Sequence, residues 1–391
     1  MRNSRQIQIG SVSIGAQSPI VVQSMCTEKI QNTETVLRQI ITLAEAGAGI
    51  VRLAVDSKSD AAALAIVAHE IQRLNSSFRQ KINLSVDLQE NYRIAEQIAP
   101  FVQKLRYNPG HLHHTEKDIS WREKVRWLVN LARNHDLALR IGVNCGSIDP
   151  RKKMEENPIF ASAIEHAEWL EELGFARYCV SLKDSRPKNV VAINRLFAQK
   201  MPEVPIHLGV TEAGAPPRGI QKSRAALEPL LFEGIGDTLR ISLTIPSDRK
   251  TEEVAAGLEL IRDVSEGKKT DEFCLEENQS ALDIISCPSC SRVQNARFVE
   301  LAMRVQEETL YAREFPFTIA VMGCRVNGPG ESDHADLGLW CGAECVNFKR
   351  RGELLGSFSY DEILPRLKAE LDLLIEDWSD KNGIQSGTEE S

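Results

Sequence analysis

Residues 138–183 read ALRIGVNCGSIDPRKKMEENPIFASAIEHAEWLEELGFARYCVSLK. Two short apolar and β-branched runs, 138–143 and 178–182, enclose a segment at 159–173 whose apolar side chains recur at helical spacing. Gly174 follows it, where a left-handed cap suits a residue without Cβ. The unit is strand, helix, strand, and a helical crossover makes the two strands parallel. Working outward, the unit recurs. Further strand-like runs lie at 20–23, 50–53, 82–86, 101–105, 206–210 and 238–243, with helical patterns at 34–46, 60–74 and 218–232. Gly47, Gly49 and Gly234 sit just past helices. Eight strands with helices between them, in about 250 residues, predict a closed α/β fold of the TIM (β/α)8 barrel type. An open doubly wound sheet is the alternative, weakened because no G-x-G-x-x-G follows the first strand.

Beyond Gly267 the pattern changes. Residues 266–278 are charged and read as a linker, and the remainder reads as a smaller α+β unit holding five of the nine cysteines. The division is residues 1–265 for the barrel and 266–391 for the second domain, with the polar stretch 378–391 predicted to fray. The 391 residues are 42% hydrophobic and 26% charged, ordinary for a globular chain and unlike a disordered or fibrous one. The net charge of −8 disfavours a broad nucleic-acid surface but leaves room for a local cationic pocket. Nine cysteines are too sparse for a disulfide scaffold and suit a reducing compartment. The N-terminus has no signal-peptide core, and the longest apolar run, 61–68, is far short of a membrane span. A cytoplasmic protein with no membrane or nucleic-acid partner is the expectation.

Barrel chemistry sits where strands end and βα loops begin. Here strand after strand ends in a charged or amide residue: Arg52, then Asp87 and Gln89, Arg106 and Asn108, Arg140 and Asn144, Lys183, His207 and Glu212, Arg240 and Ser242. A single strand-end arginine is usually a salt-bridge or rim residue. Five cations (Arg52, Arg106, Arg140, Lys183 and Arg240) at one mouth repel one another unless an anion binds, and phosphate or diphosphate matches the guanidinium fork. Asp87 and Glu212 would offset charge and orient hydroxyls or move protons. His207 lies inside a strand run and reads equally as a core or a site residue. His111, His113 and His114 read as a solvated loop or, less simply, as zinc ligands.

In ISCPSCSR, Cys287 and Cys290 form a C-x2-C pair that lets two thiolates meet one metal centre from a turn. Cys324 ends the apolar run FTIAVMGC, and a Gly328-Pro329-Gly330 turn would curl Glu331 back toward it. Zinc with Cys341 or Cys345 as a fourth ligand and an iron–sulfur cluster with an oxygen ligand are both compatible with the spacing. Cys26, Cys145, Cys179 and Cys274 read as ordinary buried or loop cysteines, with Cys145 at the barrel mouth.

The segments SPIVVQSM, IVRLAV, LRYNPG, LRIGVNCGS, HLGVTEAG, EGIGDTLRISLT, ISCPSCSR and VMGCRVNGPGESDHADLG resemble, in order over nearly the whole chain, the (E)-4-hydroxy-3-methylbut-2-enyl diphosphate synthases. These are iron–sulfur enzymes of the non-mevalonate isoprenoid route, and the length matches their short two-domain bacterial form. The resemblance implies a TIM barrel followed by a cluster domain. It implies a two-electron reductive ring opening of 2-C-methyl-D-erythritol 2,4-cyclodiphosphate with loss of water. It implies a [4Fe–4S] cluster on Cys287, Cys290 and Cys324, with Glu331 as a fourth, displaceable ligand. Arg52, Arg106, Arg140, Lys183 and Arg240 match its diphosphate-binding positions, and Asp87, Asn144, Glu212 and Ser242 further pocket positions, Glu212 as proton donor to the departing hydroxyl. Flavodoxin or ferredoxin would be the electron donor. The assembly would be a homodimer in which one chain's cluster domain covers the other's barrel. Three departures stand out: Gln89 replaces the usual histidine, the loop after LRYNPG is His-rich, and Cys341 and Cys345 replace small residues. They leave two alternatives, a paralogue acting on another phosphorylated substrate and a non-enzymatic metal-binding or sensing protein.

Overall fold

The computed structural model describes residues 2–78, 81–88, 91–270, 282–324 and 328–382. A short antiparallel hairpin, β1 (Ile7–Ile9) and β2 (Val12–Ile14), comes first. Its Ile7, Ile9 and Ile14 pack on Ile50, Ala138 and Cys179, near the starts of three barrel strands, so it closes the bottom of the barrel.

The barrel strands are β3 (Val21–Met25), β4 (Ile50–Val55), β5 (Leu84–Leu88), β6 (Lys104–Tyr107), β7 (Ala138–Asn144), β8 (Tyr178–Lys183), β9 (His207–Leu208) and β10 (Thr238–Leu239). All pair in parallel in the order β8-β7-β6-β5-β4-β3-β10-β9, and a bridge from Val180 to Ile206 joins the two edges. The sheet closes on itself, which excludes the open doubly wound alternative. Helices such as Thr33–Glu45, Lys58–Asn75, Pro158–Glu172 and Arg218–Phe232 form the outer layer. Ser57 and Ser120 each start a helix with a reciprocal capping box, to Asp60 and Glu123.

Strand limits differ from the sequence reading for a physical reason. β5 and β6 run past the apolar signal, to Leu88 and Tyr107, because the ladder continues through the polar residues Asp87 and Arg106. Phe101, read as a strand start, belongs to a 3-10 turn. β9 and β10 are shorter than read. Beyond them side chains hold the backbone, as where Leu243 N–H donates to Glu253 Oε1 at 2.9 Å.

The second domain has its own core and a five-stranded sheet: β11 (Asp283–Ser286), β12 (Thr318–Met322), β13 (Leu337–Cys341), β14 (Val346–Arg350) and β15 (Glu353–Phe358). The first three are parallel and the last three antiparallel. The stretch predicted to fray, from residue 378, is helical as far as Asn382, and residues 383–391 lie outside the described residues. Helix Ile363–Asn382 continues through Trp378, whose ring meets Phe315 edge-on with centroids 5.5 Å apart. Residues 271–281, which include most of the predicted linker and Cys274, lie outside the described residues.

The small domain sits on the mouth of the barrel. Ser286 bridges to Ala213, Lys222 pairs with Asp283 at 2.7 Å, and Thr244 Oγ1 donates to the Cys287 carbonyl at 2.9 Å. The resemblance implies a cover supplied by a partner chain; in this structure the chain's own second domain supplies it. Among the described residues no helix is long and apolar enough to cross a membrane.

Candidate active site

The barrel is turned inside out at its upper end. Along β5, β6 and β7 the register sets Asp87 beside Arg106 and Arg106 beside Arg140. One cavity is lined by Arg52, Arg106, Arg140, Lys183 and Arg240, all five cations read from the strand ends, with Asp87, Asn108, Asn144, Glu212 and Ser242 between them. Small residues make room for the long ones. A Cβ on Gly142 would lie 2.1 Å from Arg106 Nε, and one on Gly209 would lie 2.5 Å from Lys183 Nζ.

The charges are poorly compensated. Arg106 is well held, donating to Asp87 Oδ1 at 2.8 Å and to the Gly142 carbonyl at 2.9 Å. Arg52 instead leans on the weakly accepting thioether of Met25, Nη2 to Sδ 2.8 Å. Arg240 reaches Glu253 only at 3.4 Å. Among the described residues, Nε and Nη1 of Arg140 and Nε of Arg240 have no hydrogen-bond partner. Burial, and then the crowding of Arg140, Arg240, Arg52 and Arg106, pushes Lys183 well below the usual ammonium range. Burial and Arg106 bring Arg140 down to about 10. Burial alone would raise the Asp87 carboxyl, but Arg106, Arg52 and Arg292 outweigh it and hold it well below the carboxylate range. A buried guanidinium with unmade hydrogen bonds is costly, so the cavity is built for an anion carrying more than one charge.

The second domain closes this cavity with Cys287, Cys290 and Cys324. The C-x2-C turn is held by Ser289 in the left-handed region (φ 38°), which donates its hydroxyl to the Ile245 carbonyl at 2.8 Å. The Gly323 N–H donates to Cys287 Sγ at 3.2 Å. Glu331 is buried too, but not by the predicted turn: Gly328–His334 is a helix, with its glycines and proline in the first turn. Its Oε1 accepts from Cys145 Sγ at 3.7 Å, and a Cβ on Gly146 would lie 2.4 Å from it. Burial and the facing Glu212 push the Glu331 carboxyl up to about 8, and burial with Cys324 and Cys290 pushes the Cys287 thiol well up. Glu212 itself is in the left-handed region (φ 47°), uncommon for a residue with a side chain.

Three thiols and two carboxylates, all but Cys290 buried, suit a cationic centre. Among the described residues, no three such side chains converge on a single metal ion. All three cysteines line one cavity, and a cluster takes its thiolates at separate iron corners. An amide N–H on Cys287 Sγ is the hydrogen bond that stabilises a cluster thiolate. The residues present therefore fit an iron–sulfur cluster better than the zinc alternative. Cys341 is buried in β13 and Cys345 lies in the β13–β14 turn; neither lines the cavity.

Other readings are corrected or refined. His207 is a core residue, its Nδ1 bonded to Thr238 Oγ1. His111 is buried rather than solvated, and stacks on the exposed His114 with centroids 5.1 Å apart. Gln89 lies outside the described residues. Sequence reading missed Arg292, which enters the cavity from the cluster domain, pairing with Asp56 at 2.9 Å and Asp87 at 3.1 Å. It stood inside the quoted ISCPSCSR, but a cation beside cysteines carries no spacing signal. Ser147, Ser181 and Met25 also line the cavity unannounced.

Fold and site together define an α/β-barrel enzyme for a multiply charged anion, its mouth closed by a cysteine-bearing metal domain. Residues 4–258 match the GcpE TIM-barrel domain and residues 283–373 the GcpE protein C-terminal domain. The chain belongs to the GcpE family. It is 53% identical to a 4-hydroxy-3-methylbut-2-en-1-yl diphosphate synthase (flavodoxin) of Rhodopirellula baltica, over 95% of this chain and 96% of that one. Proteins of the same description from Persephonella marina and Tropheryma whipplei are 33% and 36% identical over 95% of this chain, and 98% and 91% of their own.

Proposed function

We infer that this chain is a 4-hydroxy-3-methylbut-2-enyl diphosphate synthase, an iron–sulfur oxidoreductase of non-mevalonate isoprenoid biosynthesis. It opens the ring of 2-C-methyl-D-erythritol 2,4-cyclodiphosphate with two electrons and two protons and releases one water. The observation that carries this reading is that five barrel cations and three cysteines of the second domain line one cavity. Anion and metal centre then share one space.

Arg52, Arg106, Arg140, Lys183 and Arg240 bind the diphosphate, and the unmet N–H groups of Arg106, Arg140 and Arg240 become charge-assisted hydrogen bonds. Asp87 holds Arg106 at the right angle, and Asn144 and Ser242 orient the carbon skeleton. Glu212, buried and facing both Cys287 and Glu331, protonates the hydroxyl that leaves as water. Cys287, Cys290 and Cys324 would hold a [4Fe–4S] cluster, with Glu331 as its fourth ligand. When bound, that cluster supplies electrons singly and an iron that accepts an oxygen ligand. Closure by the second domain excludes water from the cavity. Flavodoxin is the donor, the cytoplasm the location, and the working form a homodimer.

The test is anaerobic turnover of the reconstituted protein with dithionite and a dye mediator, with about four iron and four sulfide per chain expected on analysis. Formation of the ring-opened diphosphate is the expected result. No turnover by fully loaded protein, or one zinc without sulfide, overturns the reading.

A further inference from the structure

We propose that the electron donor, a flavodoxin-type flavoprotein, docks in the groove between helix Arg297–Glu308 and the barrel segments 27–32 and 245–248, and delivers its electrons beside Cys290. The proposal rests on the function inferred above and adds the surface through which the enzyme is reduced.

Cys290 is the one cysteine of the three that lines both spaces, the substrate cavity and this groove on the outer side. Cys287 and Cys324 are buried, whereas Cys290 is half-buried. The wall between the substrate cavity and the outside is therefore one side chain thick at this point. The groove measures about 820 Å³, and its walls carry Ile245, Pro246, Val293, Val299 and Met303, the last 39% exposed. Ile245 and Val299 are buried, Pro246 and Val293 half-buried, and Met303 is exposed; a concave, partly apolar site marks a binding surface, and the apolar edge of a flavin ring is a matching occupant. The rim is mixed, Lys29 and Arg304 against Glu28, Asp248, Glu300 and Glu307. Apolar burial rather than net charge thus drives docking, and affinity should depend little on salt.

The electron count agrees with a donor that docks, leaves and is replaced. Each flavin hydroquinone gives one electron and becomes a semiquinone. Two dockings supply the two electrons, two protons enter, and the ring opens with loss of one water. Because Cys290 lines the groove as well as the substrate cavity, reduction does not require the cavity to open.

The test uses the cluster-loaded enzyme with purified flavodoxin. Met303→Glu should weaken flavodoxin binding in calorimetry, and slow reduction by flavodoxin hydroquinone in stopped flow, by about tenfold or more. Dithionite-driven turnover should not change. Leu354→Glu, at an exposed apolar position on β15 outside the groove, should leave flavodoxin binding as it is. Unchanged binding and reduction in Met303→Glu, an equal loss in Leu354→Glu, or a dimer that Met303→Glu converts to monomer, showing that a second copy fills the groove, would overturn the proposal. Absence of dithionite-driven turnover in the unmodified enzyme would instead count against the inferred reaction, and leaves the binding result readable by itself.

Discussion

At the scale of single residues, the cavity depends on what is missing as much as on what is present. Gly142 has no side chain, and Arg106 lies across the space it leaves. Gly142→Ala would force Arg106 off Asp87, and a lost charge-assisted hydrogen bond is worth about 1.5–3 kcal/mol. The expected outcome is a KM for the cyclodiphosphate raised roughly 10- to 100-fold with little change in kcat, since binding and not proton transfer is touched. An unchanged KM would remove Arg106 from the anion site. Asp87 offers the complementary case, because it compensates two guanidiniums, Arg106 and Arg292. Asp87→Asn leaves both under-paired in a buried place, and about 3 kcal/mol of stability should be lost, read as a lowered denaturation midpoint. The cations and cysteines of this cavity were legible as residue types placed at predicted strand ends or at ligand spacing. Arg292 was not, because its role comes from the docking of two domains and leaves no trace in local pattern. The glycines were equally silent, because only the folded chain brings to each the side chain that needs the room.

At the scale of elements, the apolar period announced the strands, and polar inward-facing residues hid where they stop. β5 and β6 continue through Asp87 and Arg106 because a barrel ladder needs backbone groups, not apolar side chains. The same polar interior produces a buried link between the cysteine turn and the anion site. Lys250 Nζ donates to the Pro288 carbonyl at 3.0 Å and to Glu253 Oε1 at 2.8 Å, and Glu253 in turn faces Arg240. Lys250→Met should therefore lower substrate affinity as well as thermal stability, although no substrate contact is removed; a stability loss with unchanged affinity would show that the link does not transmit. On the outer layer, His166 of helix Pro158–Glu172 is buried against Trp121, ring centroids 4.1 Å apart, with Tyr107 Oη 3.3 Å from Nδ1. Burial brings its pKa down to about 3, against the opposing pull of Asp149 and with help from Arg151 and Lys152. Its folded value lies below the unfolded value of about 6.5, so the unfolded chain binds the extra proton and stability falls as pH drops below that value. The slope approaches about 1.4 kcal/mol per pH unit. His166→Gln should flatten the loss of melting temperature between pH 7.5 and pH 5.5, and an unaltered slope would place the acid sensitivity elsewhere.

At the scale of the molecule, two separate cores meet through mostly polar contacts. Lys222 with Asp283, Arg292 with Asp56 and Asp87, and Thr244 with the cysteine turn hold the cover on the barrel. Such interfaces permit relative motion of domains, and the cavity is walled by both domains, so such motion changes its mouth. The division into barrel and cysteine domain was legible in the switch of pattern near residue 266. The docking of the cysteine domain on its own chain's barrel was not, since it rests on contacts between distant segments, such as Lys222 with Asp283, that leave no mark in local pattern. Closure should therefore be governed by Arg292, whichever chain supplies it. Asp56 takes two of its hydrogen bonds, both 2.9 Å, and lies outside the cavity lining, so Asp56→Asn weakens the latch without touching the substrate contacts. In small-angle scattering of the cluster-loaded protein, the cyclodiphosphate should reduce the radius of gyration. Asp56→Asn should need up to about fivefold more ligand for the same change, because a solvent-screened ion pair contributes about 0.2–1 kcal/mol. If the substitution leaves the ligand dependence of closure where it was, closure is set by the apolar and backbone contacts of the cysteine turn, and Arg292 serves only to neutralise Asp87.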